Sequence, residues 1–126
     1  NRISCYWDSD TDMTHPLILA KIPVKNPWEI FAYLPFGNWN DCPDTPELMA
    51  AAKYWFEQYG AVPAAMSHDE LEFLLPAPVH KEKAMDAAVE LYGFCPDVID
   101  QGPEDATVGA LADVLWQSTV WYFWWD

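Results

Sequence analysis

Positive charge is what this sequence has least of. Six Lys and Arg stand against 20 Asp and Glu, a formal net charge of −14 over 126 residues. Nucleic-acid affinity comes mostly from neutralising phosphates, so so acidic a chain is expected to bind neither nucleic acid nor an anionic membrane. No apolar run reaches the roughly eighteen residues of a bilayer-crossing helix, which excludes that kind of span. Cysteine is scarce as well: Cys5, Cys42 and Cys95. An odd number in a chain of this size gives no disulfide framework, and a reducing, cytoplasmic setting fits best. Internal repeats and low-complexity tracts are lacking too. The start at Asn1 rather than Met leaves room for a longer N-terminal portion.

What the chain has in quantity is apolar and aromatic surface, 52% and 16% of residues. That suffices for one domain with a core of its own. The densest stretch is Trp121-Tyr122-Phe123-Trp124-Trp125-Asp126. As a strand it sends Trp121, Phe123 and Trp125 to one face and Tyr122 and Trp124 to the other. Both faces then need cover, which predicts a central strand. Residues 1–15, with Asp8, Asp10 and Asp12 alternating, read as an acidic N-terminal arm. Residues 16–126 read as a single α+β domain.

Within that domain, Leu17 to Ile22 reads as a first strand. Asn26-Pro27-Trp28-Glu29 is a helix start, with Asn as N-cap, Pro in the first turn and an acid behind it. Thr45-Pro46-Glu47 caps the best helix, whose stripe is Leu48, Ala52, Trp55 and Tyr59, and Gly60 closes it. Ala61–Met66 and Leu71–Leu75 read as strands, Pro63 marking the former as an edge or bulge. A helix over about 81–92 would bury Met85, Ala88, Val89 and Tyr92, and Thr107 caps a last helix carrying Val108, Leu111, Ala112 and Leu115. This order predicts a ferredoxin-like, split βαβ fold. It has about four antiparallel strands, helices on one face and the aromatic C-terminal strand in the middle.

Several segments in fixed order carry a resemblance. They are Gly37-Asn38-Trp39-Asn40-Asp41-Cys42-Pro43, Tyr54-Trp55 with Tyr59-Gly60-Ala61, and His68-Asp69-Glu70-Leu71-Glu72. Tyr92-Gly93-Phe94-Cys95-Pro96-Asp97, Asp100-Gln101-Gly102 and the aromatic ending complete the set. From about Pro27 to Asp126 the chain resembles the bacterial family known as domain of unknown function 4253. The resemblance implies a bacterial or bacteriophage protein with this domain at its C-terminal end. It implies no activity. Asn38 departs from the pattern, standing where a second glycine is expected after Gly37.

Candidate chemistry is thin. Asp8 to Asp12 alternates like a calcium loop, but the places for the turn glycine and the bidentate glutamate hold Met13 and Leu19. Cys42, Cys95 and a histidine lack the short paired spacing of a zinc site, so no metal and no cofactor is expected. Cys42 or Cys95 with His68 as base and Asp69, Asp97 or Asp44 as orienter would make a thiol nucleophile, given hydrogen-bond reach between them. Glu70, Glu72, Asp97 and Asp100 read as solvated carboxylates rather than an acid–base pair. The loops 37–43 and 94–102 place polar groups beside aromatics on what should be a rigid scaffold, where binding usually sits. The candidate binding residues are Gly37, Asn38, Trp39, Asn40, Asp97, Gln101, Trp124 and Asp126.

These features favour a non-enzymatic acidic protein-interaction module, of the immunity type that neutralises a basic toxin. Its carboxylates would steer a basic protein and exposed tryptophans would anchor it. The alternative is a small-ligand-binding protein or Cys/His-dependent enzyme with a pocket between the two loops.

Overall fold

The computed structural model describes residues 2–126. Its elements run β1 (Trp7–Asp8), β2 (Met13–Thr14), a 3-10 helix (Pro27–Ala32), α1 (Thr45–Tyr59), β3 (Val62–Met66) and β4 (Glu70–Leu74). A 3-10 turn (Lys81–Lys83) then leads into α2 (Ala84–Phe94), followed by α3 (Asp97–Asp100), α4 (Val108–Leu115) and β5 (Val120–Trp124). The fold is α+β. No helix among the described residues is long and apolar enough to cross a membrane.

Helix starts follow local chemistry. Glu47 N–H donates to Asp44 Oδ1 and Asp44 N–H donates back to Glu47 Oε2, each at 3.1 Å, a reciprocal cap on α1. Gly60 closes that helix in the left-handed region, at φ +71°. The Asn26 N–H donates to Glu29 Oε2 at 2.7 Å ahead of the 3-10 helix. Ala110 N–H donates to Thr107 Oγ1 at 3.0 Å at the start of α4. A cap of this kind is worth about 1 kcal/mol.

The main sheet has three strands in the order β3-β4-β5, and β1 and β2 form a separate two-stranded hairpin. Both pairings in the main sheet are antiparallel. Two expectations are corrected here. The aromatic C-terminal strand lies at an edge, bonded to β4 alone, and β4 is the central strand. The fourth strand expected at Leu17–Ile22 does not form, so the split βαβ layout is not completed. Ile18 and Leu19 are 94% and 101% exposed. Pro16 and Pro23 bracket the segment, and no strand of the sheet takes it as a neighbour. Pro63 behaves as a strand proline must: β3 is the other edge, and its register shifts between Pro63 and Ala65.

The alternation of the tail holds. Trp121, Phe123 and Trp125 are buried on one face with Leu71 and Phe73 of β4, while Tyr122 is exposed. Trp55 from α1 lies parallel to Phe123 at 5.5 Å and edge-on to Trp121 and Phe73. Phe94, ending α2, meets Phe123 and Trp125 edge-on. The helices therefore cover this face. Burial of each such ring contributes about 1.5–3 kcal/mol. In α2 the buried stripe is Ala84, Ala87, Ala88 and Leu91. Met85 and Val89, expected inside, are exposed. Small alanines let α2 approach α4 closely, and that close approach outweighs the bulk of Met85 and Val89.

Candidate functional site

The 37–43 loop bends through left-handed backbone: Gly37 at φ +87°, Asn38 at +64° and Asn40 at +45°. Asn38 N–H donates to the Pro43 carbonyl at 3.0 Å, and Cys42 N–H donates to the Trp39 carbonyl at 2.8 Å. Asparagine tolerates this backbone region better than most residues, which accounts for Asn38 standing where glycine was expected. Trp39 is half-buried, edge-on to Phe36 and to Trp125. Cys42 is buried beneath the loop.

The 94–102 loop begins where α2 ends. Cys95 is fully buried and its thiol donates to the Trp124 carbonyl at 3.1 Å. Asp97 is buried and its Oδ2 accepts from Asp126 N–H at 2.9 Å. Gln101 is exposed. Asn40 Nδ2 donates to the Asp126 backbone carbonyl at 2.6 Å. Residues 124–126 thus bridge the two loops, with Trp125 packed against Phe36, Trp39 and Phe94. Of the predicted site residues, Trp39, Asn40, Asp97, Trp124 and Asp126 come together. Asn38 and Gln101 point into solvent at the margins.

The thiols sit in surroundings that favour their protonated form. Burial pushes Cys95 up to about 12. Cys42 also rises to about 12, by burial and then by the proximity of Cys95. A protonated thiol is a poor nucleophile at neutral pH. The His68 side chain is 90% exposed and lies 3.4 Å from Asp69 Oδ2. That same carboxylate oxygen accepts the Trp124 indole N–H at 3.1 Å. Among the described residues no hydrogen bond joins either thiol to His68, and no three His, Cys, Asp or Glu side chains gather as metal ligands.

A second region was not visible in the sequence. Glu72, in the middle of β4, faces away from the aromatic core and is fully buried. Ser4 N–H donates to its Oε1 and Oε2 at 2.9 and 3.1 Å, and Ser4 Oγ donates to Oε1 at 3.2 Å. Cys5 N–H also donates to Oε1. The Cys5 thiol is pushed up to about 12 by burial, then by its bond to Glu72. The expectation of solvated carboxylates is therefore corrected at Glu72 and Asp97. Glu70 and Asp100 accept phenol hydroxyls from Tyr122 and Tyr92, at 2.8 and 2.9 Å. Strand alternation alone would have placed Glu70 and Glu72 on one face. It carried no sign that residues 67 and 68 positions earlier cover one of them.

Beside this contact lies a groove of about 660 Å³. Its walls are Cys5 and Tyr6 of the arm, the stretch from His15 to Leu19, and Ala64 to Met66 of β3, with Glu70 and His68 at its polar margin. Leu17, Ile18 and Leu19 stand exposed along it.

Residues 18–126 match the family described as a domain of unknown function (DUF4253). No curated protein and no solved structure matches the chain.

Proposed function

We infer that this chain, which belongs to the DUF4253 family, is a non-enzymatic acidic protein-interaction module whose partner is a basic protein. An immunity-type role, in which a small acidic domain neutralises a basic toxin, suits the charge and size. The observation that carries the reading is the uncovered run Leu17-Ile18-Leu19 along the groove beside β3. A single exposed aliphatic residue needs no explanation. Three in succession beside a concave apolar surface support reading this as a contact face. A net charge of −14 steers a basic partner to that face and disfavours acidic ones. The anchors are these aliphatic side chains rather than tryptophans, because no indole is among the exposed large side chains of the described residues. Three free cysteines suit a reducing, cytoplasmic compartment.

The test is capture from the native host with the whole chain, wild type and the double variant Ile18→Asp, Leu19→Asp. Both positions are fully solvated, so the variant should keep wild-type stability to within about 0.5 kcal/mol. We expect the wild type to retain a basic protein at low salt and release it near 1 M salt, where charges are screened beyond roughly 3 Å. The variant should not retain it. Absence of any basic protein at low salt, or equal retention by the variant, overturns the proposal.

A further inference from the structure

We propose that residues 3–6 of the N-terminal arm are a displaceable cover, clipped to the outer face of the sheet by Glu72, and that an extended basic segment of the partner takes their place on that carboxylate. The identity of the newcomer rests on the partner reading above, whereas the clip itself does not.

Four hydrogen bonds from Ser4 and Cys5 converge on Glu72. A carboxylate at 0% exposure must have its oxygens satisfied. Three of the four bonds come from main-chain N–H groups, those of Ser4 and Cys5, which any extended peptide carries. No cationic side chain is drawn to Glu72 among the described residues, yet Lys or Arg would give a stronger, charge-assisted bond there. The arm contributes nothing to Glu72 that a foreign segment could not supply.

Charge points the same way. The arm holds Asp8, Asp10 and Asp12, while the sheet face that it covers holds Glu70 and Glu72. Its Arg2 lies over the Trp7 ring, 4.7 Å from the centroid. The hairpin of β1 and β2 bonds to itself. Residues 3–6 carry no charged side chain, so a basic segment in their place brings Glu72 an opposite charge that the cover lacks. The arm also lies outside the part of the chain that matches the family, residues 18–126, while Glu72 lies inside it. The groove between Cys5 and β3 is already open on one side of the clip, which offers the newcomer a starting point.

Cys5 reports on the cover, and Cys42 and Cys95 report on the core. The experiment is maleimide labelling of the whole chain at mildly alkaline pH, resolved by cysteine through peptide mass spectrometry. In the wild type all three thiols should react slowly. Ser4→Pro removes the Ser4 N–H and leaves the sheet untouched, and Glu72→Gln keeps the shape while removing the charge. Each should speed labelling of Cys5 by about tenfold or more, the scale of a lost hydrogen bond to a charged group, with Cys42 and Cys95 still protected. Oligolysine added to the wild type at low salt should also speed Cys5, and oligoglutamate should not. If Glu72→Gln exposes all three thiols, the core has opened and Ser4→Pro decides. Unchanged Cys5 labelling in a folded Ser4→Pro chain overturns the cover. Faster labelling in the variants without any oligolysine effect overturns the basic newcomer and leaves the clip standing. Failure of the host capture, with the clip still opening, falls on the partner reading alone.

Discussion

Gly37→Ala should cost about 3–5 kcal/mol, and the sum can be built from the loop. At φ +87° an L-residue loses roughly 1–2 kcal/mol relative to glycine. The new Cβ would stand 2.2 Å from the Pro43 carbonyl oxygen and 2.9 Å from Leu48 Cδ1. The first contact is with backbone, so the turn must move. Moving Pro43 stretches the 3.0 Å bond that Asn38 N–H donates to it, a further loss of about 1 kcal/mol. Moving Leu48 disturbs a side chain that is 1% exposed, for another 1–2 kcal/mol or so. Gly93→Ala is the internal control: it lies within α2 with nothing near its Cβ site, and alanine there should stabilise by up to about 1 kcal/mol. Urea unfolding followed by tryptophan fluorescence reads both, because Trp39 and Trp125 border the loop. A Gly37→Ala loss below about 1 kcal/mol would refute the clash argument.

Trp125 is buried with an indole N–H that has no hydrogen-bond partner. Trp125→Ala should therefore lose about 3–5 kcal/mol. Trp125→Phe keeps the ring contacts and removes the orphan donor, so it should lose less than half as much; equal losses in thermal unfolding would contradict this. Alkaline pH should weaken the fold through its thiols. Cys5, Cys42 and Cys95 are each raised from 9.0 to about 12 in the folded chain. A group whose folded value is raised lends stability that is complete below about pH 9 and is lost as pH climbs through 9 towards 12. Melting temperatures measured across that range should fall, and fall less steeply in Cys95→Ala. A slope unchanged by that substitution would remove the thiol explanation.

Much of the secondary structure was legible because it is written locally. Thr107 and Gly60 mark their helix ends by side chain or backbone within a few residues, whereas the cap of α1 is Asp44, one residue ahead of the Thr45 read as its start. Pro63 announced an edge or a bulge, and alternation separated the two faces of the tail, although the face expected to be covered as well leaves Tyr122 exposed. Strand order was not legible. A strand at Leu17–Ile22 has the right residues but no partner, and partnership is a property of the whole chain. The α2 face failed for a related reason: its two bulky candidates were chosen by size, while the helix packs through Ala84, Ala87 and Ala88. At the site, the two loops do converge, but the groups that join them come from residues 124–126. Glu72 was least legible of all, since its burial depends on Ser4 and Cys5.

The pairing of β4 with β5 sets residue 70 opposite residue 124, with three helices strung between them. Closing so long a loop costs entropy before any ring contact repays the cost. Refolding should then be governed by this one distant meeting rather than by helix growth, which is fast. A chain caught before that meeting would carry Trp121, Phe123 and Trp125 unburied, and would be at its most adhesive in that interval.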